Sequence, residues 1–178
     1  MTVKANQDFE LEVPVGDNRQ RRVCQRCDFI DYQNPKIVAG SVVTQGDQIL
    51  LCKRAIEPRR GFWTLPAGFM ELGESVEEGA QREAREEAYA DIEIDRLLAV
   101  YSVPRIGQVQ VMFRARLIGG YGVGPESEAV DLFDWKDIPW SELAFPTVVW
   151  ALTHFAATRD QAVFAPFANP PGTDALTR

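Results

Sequence analysis

The sequence predicts an α+β fold, an α/β/α sandwich in which a mixed sheet lies between helices. Three observations predict it. Apolar, β-branched runs recur from residue 36 onward; a capped segment with apolar residues at spacing four follows Ser75; and a second apolar helical segment opens at Pro146. A chain of 178 residues is most simply one domain with a small appendage, long enough to bury a real core.

Each element follows in order. Residues 1 to about 35 read as a polar, irregular leader with turn chemistry at "PVGDN" and "YQNP". "KIVAGSVVT" and "QILLCKR" are strands separated by "QGD", a hairpin-like break. "RAIEPRRGFWTLPAGFMELGE", rich in glycine and proline, reads as a long functional loop. "SVEEGAQREAREEAYA" is a helix: Ser75 and Glu78 fit a capping box, and Val76, Ala80, Ala84 and Ala88 form a narrow stripe suited to packing on a sheet. "DIEIDRLLAVYSV" and "GQVQVMFRARLI" are strands, the second placing Val109, Val111, Phe113, Ala115 and Leu117 on one face. "AVDLFDW" is a short strand and "PTVVWALTHFAATR" a second helix with Pro146 near its start. "AVFAPF" can dock on the body, and "NPPGTDALTR" reads as a loose tail.

Composition narrows the function. The net charge of −7 argues against broad binding to nucleic acid or to an anionic membrane, and neither partner is expected. A small anionic substrate stays open, because a bound divalent cation reverses the sign of a local site. No apolar run approaches the roughly 18 residues of a membrane span. The N-terminal "MTVKANQDFELEV" lacks the apolar centre of a secretory signal, so a cytoplasmic protein is expected. Three cysteines, two of them in a CxxC, make no disulfide framework in a chain this size.

"REAREEA", residues 82–88, crowds Glu83, Glu86 and Glu87 onto neighbouring ground of one helix. Exposed like charges cost little, so a solvated acidic face is the plain reading. Beside the apolar stripe, however, Glu83 and Glu87 fall at a partly desolvated rim. Two carboxylates there, about 5–6 Å apart, repel by about 3 kcal/mol at an effective dielectric near 20. A bound cation turns that repulsion into binding.

Read outward, Gly68 is followed by Glu74, then by Arg82-Glu83, Ala84 and Glu86-Glu87. This spacing resembles the Nudix box, G-x5-E-x7-R-E-U-x-E-E-x-G-U, where U is apolar. Every fixed position from Gly68 to Ala90 matches except one, with Tyr89 in place of glycine. The resemblance implies the Nudix fold over residues 36–158 and a metal-dependent hydrolase that cleaves a pyrophosphate bond. It implies Mg²⁺ or Mn²⁺ held by Glu83, Glu86, Glu87 and the carbonyl of Ala67. By the same resemblance, Glu86, Glu83, Glu87 and Arg82 would be its catalytic residues. Arg82 would hold the carboxylates, Glu74 would fix the loop to the helix, and Gly68 would let the backbone approach closely. Tyr89 puts the helix's exit turn in question, since glycine supplies a left-handed cap cheaply.

Outside the box, some Nudix enzymes take a general base from another loop. "PESEAVDLF" offers Glu126 and Glu128, for which a solvated acidic loop reads equally well. Arg54, ending a strand beside the box, can contact a substrate phosphate. Arg59 and Arg60 read as surface residues. Phe62 and Trp63 can stack on a base or pack the core, with core favoured. His154 and Cys52 read as structural.

"RRVCQRCDFIDYQNPK" extends the likeness to zinc-ribbon-bearing Nudix hydrolases related to chloroplast FAD and ADP-ribose pyrophosphatases. Residues 1–35 are then a degenerate ribbon, and residues 159–178 a C-terminal tail. Those relatives complete a four-cysteine zinc site with an earlier CxxC, which here falls near Thr2 and Ala5. Cys24 and Cys27 are the possible zinc ligands here, but two thiolates alone cannot close a tetrahedral Zn²⁺ site: either the ribbon has lost its metal, or other ligands or a second subunit complete it. The stretches that mark NADH pyrophosphatases and coenzyme A hydrolases are missing. The resemblance therefore points to ADP-ribose or FAD, with AMP released, and to a homodimer by analogy. The alternative is a non-catalytic Nudix-fold ligand sensor or regulator, which eroded box carboxylates would favour; all are intact here.

Overall fold

Residues 8–173 are described in the structure, a computed structural model, and the chain divides after Asn34 into two units. The positions of Thr2 and Ala5, and residues 174–178 of the tail, lie outside the described residues.

The first unit carries more order than its polar sequence predicts. Three short strands, β1 (Phe9–Glu12), β2 (Arg21–Cys24) and β3 (Ile30–Asp31), form an antiparallel sheet in that order. The "PVGDN" turn is held by the Asp17 carboxylate, which accepts from the Asn18 N–H at 2.6 Å and from Arg21 Nε at 2.9 Å. Strands of four and two residues are too short to show a period, which is why the sequence reads as irregular there.

In the second unit, β4 (Lys36–Gln45) and β5 (Gln48–Arg54) follow, then β6 (Trp63–Thr64) and β7 (Ala67–Phe69) within the long loop. Helix α1 (Val76–Ala88), β8 (Ile92–Val103), β9 (Gln108–Leu117), β10 (Ser127–Asp134) and α2 (Pro146–Thr158) complete it. The sheet order is β10-β5-β4-β9-β8, with β4 and β9 parallel and the other pairs antiparallel. This is the mixed sheet that the pattern of runs predicts.

Its faces bury different cores. On the α1 side lie Val43, Leu50, Ala84, Ala88, Ile92 and Ala115. On the α2 side lie Val42, Ile49, Leu51, Leu98, Tyr101, Met112 and Leu152. Each fully buried Leu, Ile or Val contributes about 1.5–3 kcal/mol relative to exposure. The small alanines of α1 let the helix approach the sheet closely, which matters for the acids beside them.

One departure from a simple hairpin creates the cavity. β4 and β5 pair only at Thr44–Ile49 and Gln45–Gln48. Beyond that they splay, and β7 pairs with β4 at residues 38–40 while β6 pairs with β5 at residues 52–53. The loop thus lines both sides of an opening in the sheet. The C-terminal segment docks as "AVFAPF" suggests, with Phe167 bonded to the backbones of Leu98 and Val100. Asn169 is also tied down: its side chain accepts from Ser102 N–H and donates to Ser102 C=O. That corrects the expectation of a loose tail from this point.

Candidate active site

Helix α1 begins and ends for local reasons that aim its acids. Ser75 Oγ accepts from the Glu78 N–H at 3.2 Å while the Glu78 carboxylate accepts from the Ser75 N–H at 2.7 Å, a complete capping box. At the other end Tyr89 adopts the left-handed conformation (φ 47°) that glycine favours. The strain is of order 1–2 kcal/mol. It is offset by bonds from Tyr89 N–H to Arg85 C=O and from Ala90 N–H to Ala84 C=O.

The loop before β10 caps the helix further. Gly122 N–H donates to Ala88 C=O, and Gly124 N–H and Ser127 Oγ both donate to Glu87 C=O. A Cβ at position 124 would sit 2.0 Å from the Glu86 carbonyl oxygen, so only glycine fits. This bolting carries Glu126 to the acids of α1.

β7 receives α1 side chains where a neighbouring strand would be. Pro66 C=O and Met70 N–H bond β4, so Ala67 and Phe69, between them, turn their backbone groups away from it. The Ala67 N–H donates to Glu87 Oε2 at 3.1 Å, and the Phe69 carbonyl accepts from Arg82 at 2.9 Å. Gly68 faces Glu83 so closely that a Cβ would lie 2.3 Å from its carboxylate oxygen.

Arg82 ties the arrangement together. Its guanidinium donates to Glu74 at 2.8 and 3.0 Å, to Glu83 at 2.7 Å and to Glu86 at 3.1 Å. Glu74 also accepts from the Glu71 N–H at 2.7 Å, which pins the loop to the helix. The hydrogen bonds from Arg82, then that backbone bond, hold the Glu74 carboxyl down to about 2.

The three acids of the helix differ sharply. Glu83 and Glu87 are 7% and 5% exposed, whereas the Glu86 side chain is 55% exposed. Burial pushes the Glu87 carboxyl up to about 8; the Glu83 charge adds to that, while the Ala67 N–H and Arg54 oppose it. Burial also raises Glu83, against the pull of Arg82. The charge of Glu126 is felt at both. The helix therefore holds two buried carboxyls whose ionisation burial opposes and Arg82 only partly favours.

A cavity of about 600 Å³ opens here. Its wall brings together Arg82, Glu83, Glu86, Glu87, Ala67, Gly68, Arg54 and Glu126. Arg54 donates through Nε to the Pro58 carbonyl at 2.8 Å and lies over the Phe145 ring. Glu128 is not brought to the cavity. One strand position beyond Ser127, its side chain pairs with Arg60 at 2.9 Å on the outside. Trp63 packs edge-on against Phe133 in the core, Phe62 lies under Arg59, and Cys52 is buried. His154 takes a structural place, its Nδ1 2.8 Å from the Tyr101 hydroxyl and its ring stacked on Phe167. Residues that sequence reasoning passed over also line the cavity, among them Arg105, Gln108, Gln110 and Phe145. The alternation of "GQVQV" carried a signal for the two glutamines, since it sets them opposite Val109 and Val111.

Among the described residues, no three His, Cys, Asp or Glu side chains are grouped to hold an ion as they stand. In the acid cluster the reason is Arg82, which draws Glu83 and Glu86 to itself. The donor set is nonetheless all oxygen, and its buried carboxyls would ionise against a cation, which fits a hard divalent ion. The CxxC is different. The turn is preserved, with Cys24 N–H bonded to Phe29 C=O and Asp28 N–H to Cys24 C=O. The Arg26 N–H, then the Cys27 thiol, lower the Cys24 thiol. Yet no third sulfur or imidazole ligand stands in residues 1–34, so this unit does not fit zinc by itself.

Comparison with known proteins accounts for this geometry. The family description "NUDIX domain" matches residues 34–151, which hold the box, both helices' starts and the cavity. The chain belongs to the Nudix family. A second description, "Nudix N-terminal", for the Nudix zinc ribbon, matches residues 6–33. A Nudix hydrolase structure from Nitrosomonas europaea is 42% identical, covers 94% of this chain and 97% of that one, and superposes with a TM-score of 0.86. The ADP-ribose pyrophosphatase of Methanocaldococcus jannaschii is 31% identical over 138 residues, 73% of this chain and 80% of that protein. A structure of an ADP-ribose pyrophosphatase from Streptococcus suis 89-1591 is 27% identical with a TM-score of 0.63, covering 76% of this chain and all of that one. No helix among the described residues of this Nudix protein is long and apolar enough to cross a membrane.

Proposed function

We propose that this Nudix protein is a Mg²⁺- or Mn²⁺-dependent pyrophosphohydrolase acting on a nucleoside diphosphate linked to another moiety, with ADP-ribose first and FAD second. The observation that carries the reading is the set of buried Glu83 and Glu87 with exposed Glu86, all lining one cavity with Arg54 and Glu126. The likeness to two ADP-ribose pyrophosphatases supports the choice of substrate.

Glu83, Glu87 and the Ala67 carbonyl would hold the cation, and Glu86 would hold a second or orient water. In an extended strand a residue's N–H and C=O leave by the same edge, so the Ala67 carbonyl faces the side where Glu87 meets its N–H. Bound there, a divalent cation supplies Lewis acidity and charge neutralisation at the phosphoryl oxygens. The chain's residues do the remaining work. Arg82 keeps Glu83 and Glu86 in register and can give them up to a cation without itself being left unpaired, because Glu74 remains bonded to it. Arg54, held by the Pro58 carbonyl and Phe145, offers its remaining N–H groups to a phosphate. Glu126 takes the proton from the attacking water, and its place on a loop bolted to α1 fixes its distance from the other acids. Water attack on the anhydride of ADP-ribose then gives AMP and ribose 5-phosphate.

The test is a panel of ADP-ribose, FAD, NADH and nucleoside triphosphates with either cation, with products identified by mass. Turnover of ADP-ribose to AMP, abolished by chelator and restored by Mg²⁺ or Mn²⁺, is expected. Folded protein that cuts none of them would refute the reading.

A further inference from the structure

β9 is a central strand, and on the sheet face toward α2 its first residues lie among apolar neighbours from the adjoining strands. Val38, Val103 and Met112 line the cavity on that face, with Tyr101 buried beside them. Gln108 and Gln110 interrupt that face. A carboxamide in an apolar row is costly unless it has partners. Among the described residues the only hydrogen bond of either side chain is the one they share, Gln110 Nε2 to Gln108 Oε1 at 3.2 Å. Both line the cavity that holds the acid cluster.

Register places them relative to the chemistry. Gly40 has Ala67 on one side and Met112 on the other, and Val38 has Phe69 and Gln110. Gln110 thus stands two strands and two residues from Ala67, about 12 Å between Cα atoms on ordinary sheet spacings. That is the reach of a 5′-nucleotide from its phosphate to the far edge of its base. Met112 on the floor, with Phe145 and Val148 from the start of α2, supplies apolar surface for the ring.

Resting on the reading of this cavity as a nucleotide site, we propose that Gln110, oriented by Gln108, reads the nucleobase and selects adenine over a 6-oxo purine. The shared bond uses one N–H of Gln110 and leaves its carbonyl oxygen and second N–H for a ligand. That acceptor–donor pair matches the adjacent amino group and ring nitrogen of adenine. A 6-oxo purine sets an oxygen against the carboxamide oxygen at the same edge. Turning the Gln110 amide to suit it gives up the bond to Gln108 unless that side chain turns too.

The experiment measures binding of AMP and IMP with Mg²⁺ present, by calorimetry, and hydrolysis of ADP-ribose and inosine diphosphate ribose. The wild-type chain should bind AMP at least about tenfold more tightly than IMP, the discrimination of one good bidentate contact. Gln110→Leu should bring the ratio close to one by weakening AMP, with kcat for ADP-ribose changed much less than KM. Should Gln110→Leu not fold, Gln108→Leu carries the same test through a smaller drop in the ratio. Equal binding of AMP and IMP by the wild type, binding of neither, or a ratio unchanged in a folded variant overturns the assignment. Adenine preference without hydrolysis defeats the proposed reaction and leaves the base site standing. Equal hydrolysis of both substrates defeats the base site alone.

Discussion

Two stretches of this chain carry a Nudix signature, and they differ in what survives. From Gly68 to Ala90 every charged position is present, and Arg82 binds three carboxylates into one network. In residues 8–33, within the match to the Nudix N-terminal description, three short strands and a CxxC turn are present, and Cys24 and Cys27 are the only cysteines, with no histidine. Contacts within this unit are visible: Arg21–Asp17 and Arg26–Asp8 ion pairs, and the guanidinium of Arg22 over the Phe9 ring. The single lost position of the box, Tyr89, was absorbed by backbone bonds at the helix end, because a cap is a local matter that neighbours can supply. A metal ligand has no such substitute. The comparison teaches that the small unit rests on ordinary contacts among the described residues, whereas α1 carries buried acids that folding alone does not call for.

Replacing those acids breaks the comparison most directly. Glu87→Gln keeps an oxygen for the Ala67 N–H and resembles the protonated carboxyl. Melting should therefore hold below about pH 8 and rise above it, where Glu87 would carry a buried charge, while turnover falls by about 10²–10⁴. Full activity in a folded variant would remove Glu87 from the site. Next is Arg82→Ala, which strands the charges of Glu74 and Glu83. It should cost about 2–3 kcal/mol in denaturant unfolding and lower turnover as well. Unchanged stability would mean the network is ornamental.

The third effect is one of pH. The folded Glu87 carboxyl titrates near 8 against an ordinary 4.5, so the native state holds an extra proton between those values. Stability of chelated protein should therefore fall as pH rises through about 4.5 to 8, and the gain in melting temperature on adding Mg²⁺ should grow over the same window. Glu74 behaves oppositely: its contribution is present above its ordinary value and fades as pH falls through about 2. A Mg²⁺ gain independent of pH would contradict the burial seen here. The smallest effect belongs to the ribbon. Cys24→Ser with Cys27→Ser should leave melting and its response to chelator unchanged, and elemental analysis of the wild type should find no stoichiometric zinc. One zinc per two chains would show that two copies complete the site.

Much of the second unit was legible because its signals are local. The capping box at Ser75, the alanine stripe and the alternation of β9 each lie within a few residues, and each appears where its spacing puts it. The splay of β4 from β5 was not legible, since "QGD" specifies only the turn, while the parting depends on β6 and β7 folding into the opening. Glu126 and Glu128 were equivalent in sequence. Gly124 and Ser127, bonded to the end of α1, bring the first to the cavity, and β10's edge sends the second to Arg60.

Sequence alone determined that three carboxylates and an arginine share one side of a helix, because covalent spacing and a 3.6-residue turn admit no other arrangement. Only the tertiary structure decided which of them is stripped of water, which loop acid joins them, and that two glutamines of β9 face the same space. Those depend on strands distant in the chain meeting in one register, and burial is a property of that meeting rather than of any residue.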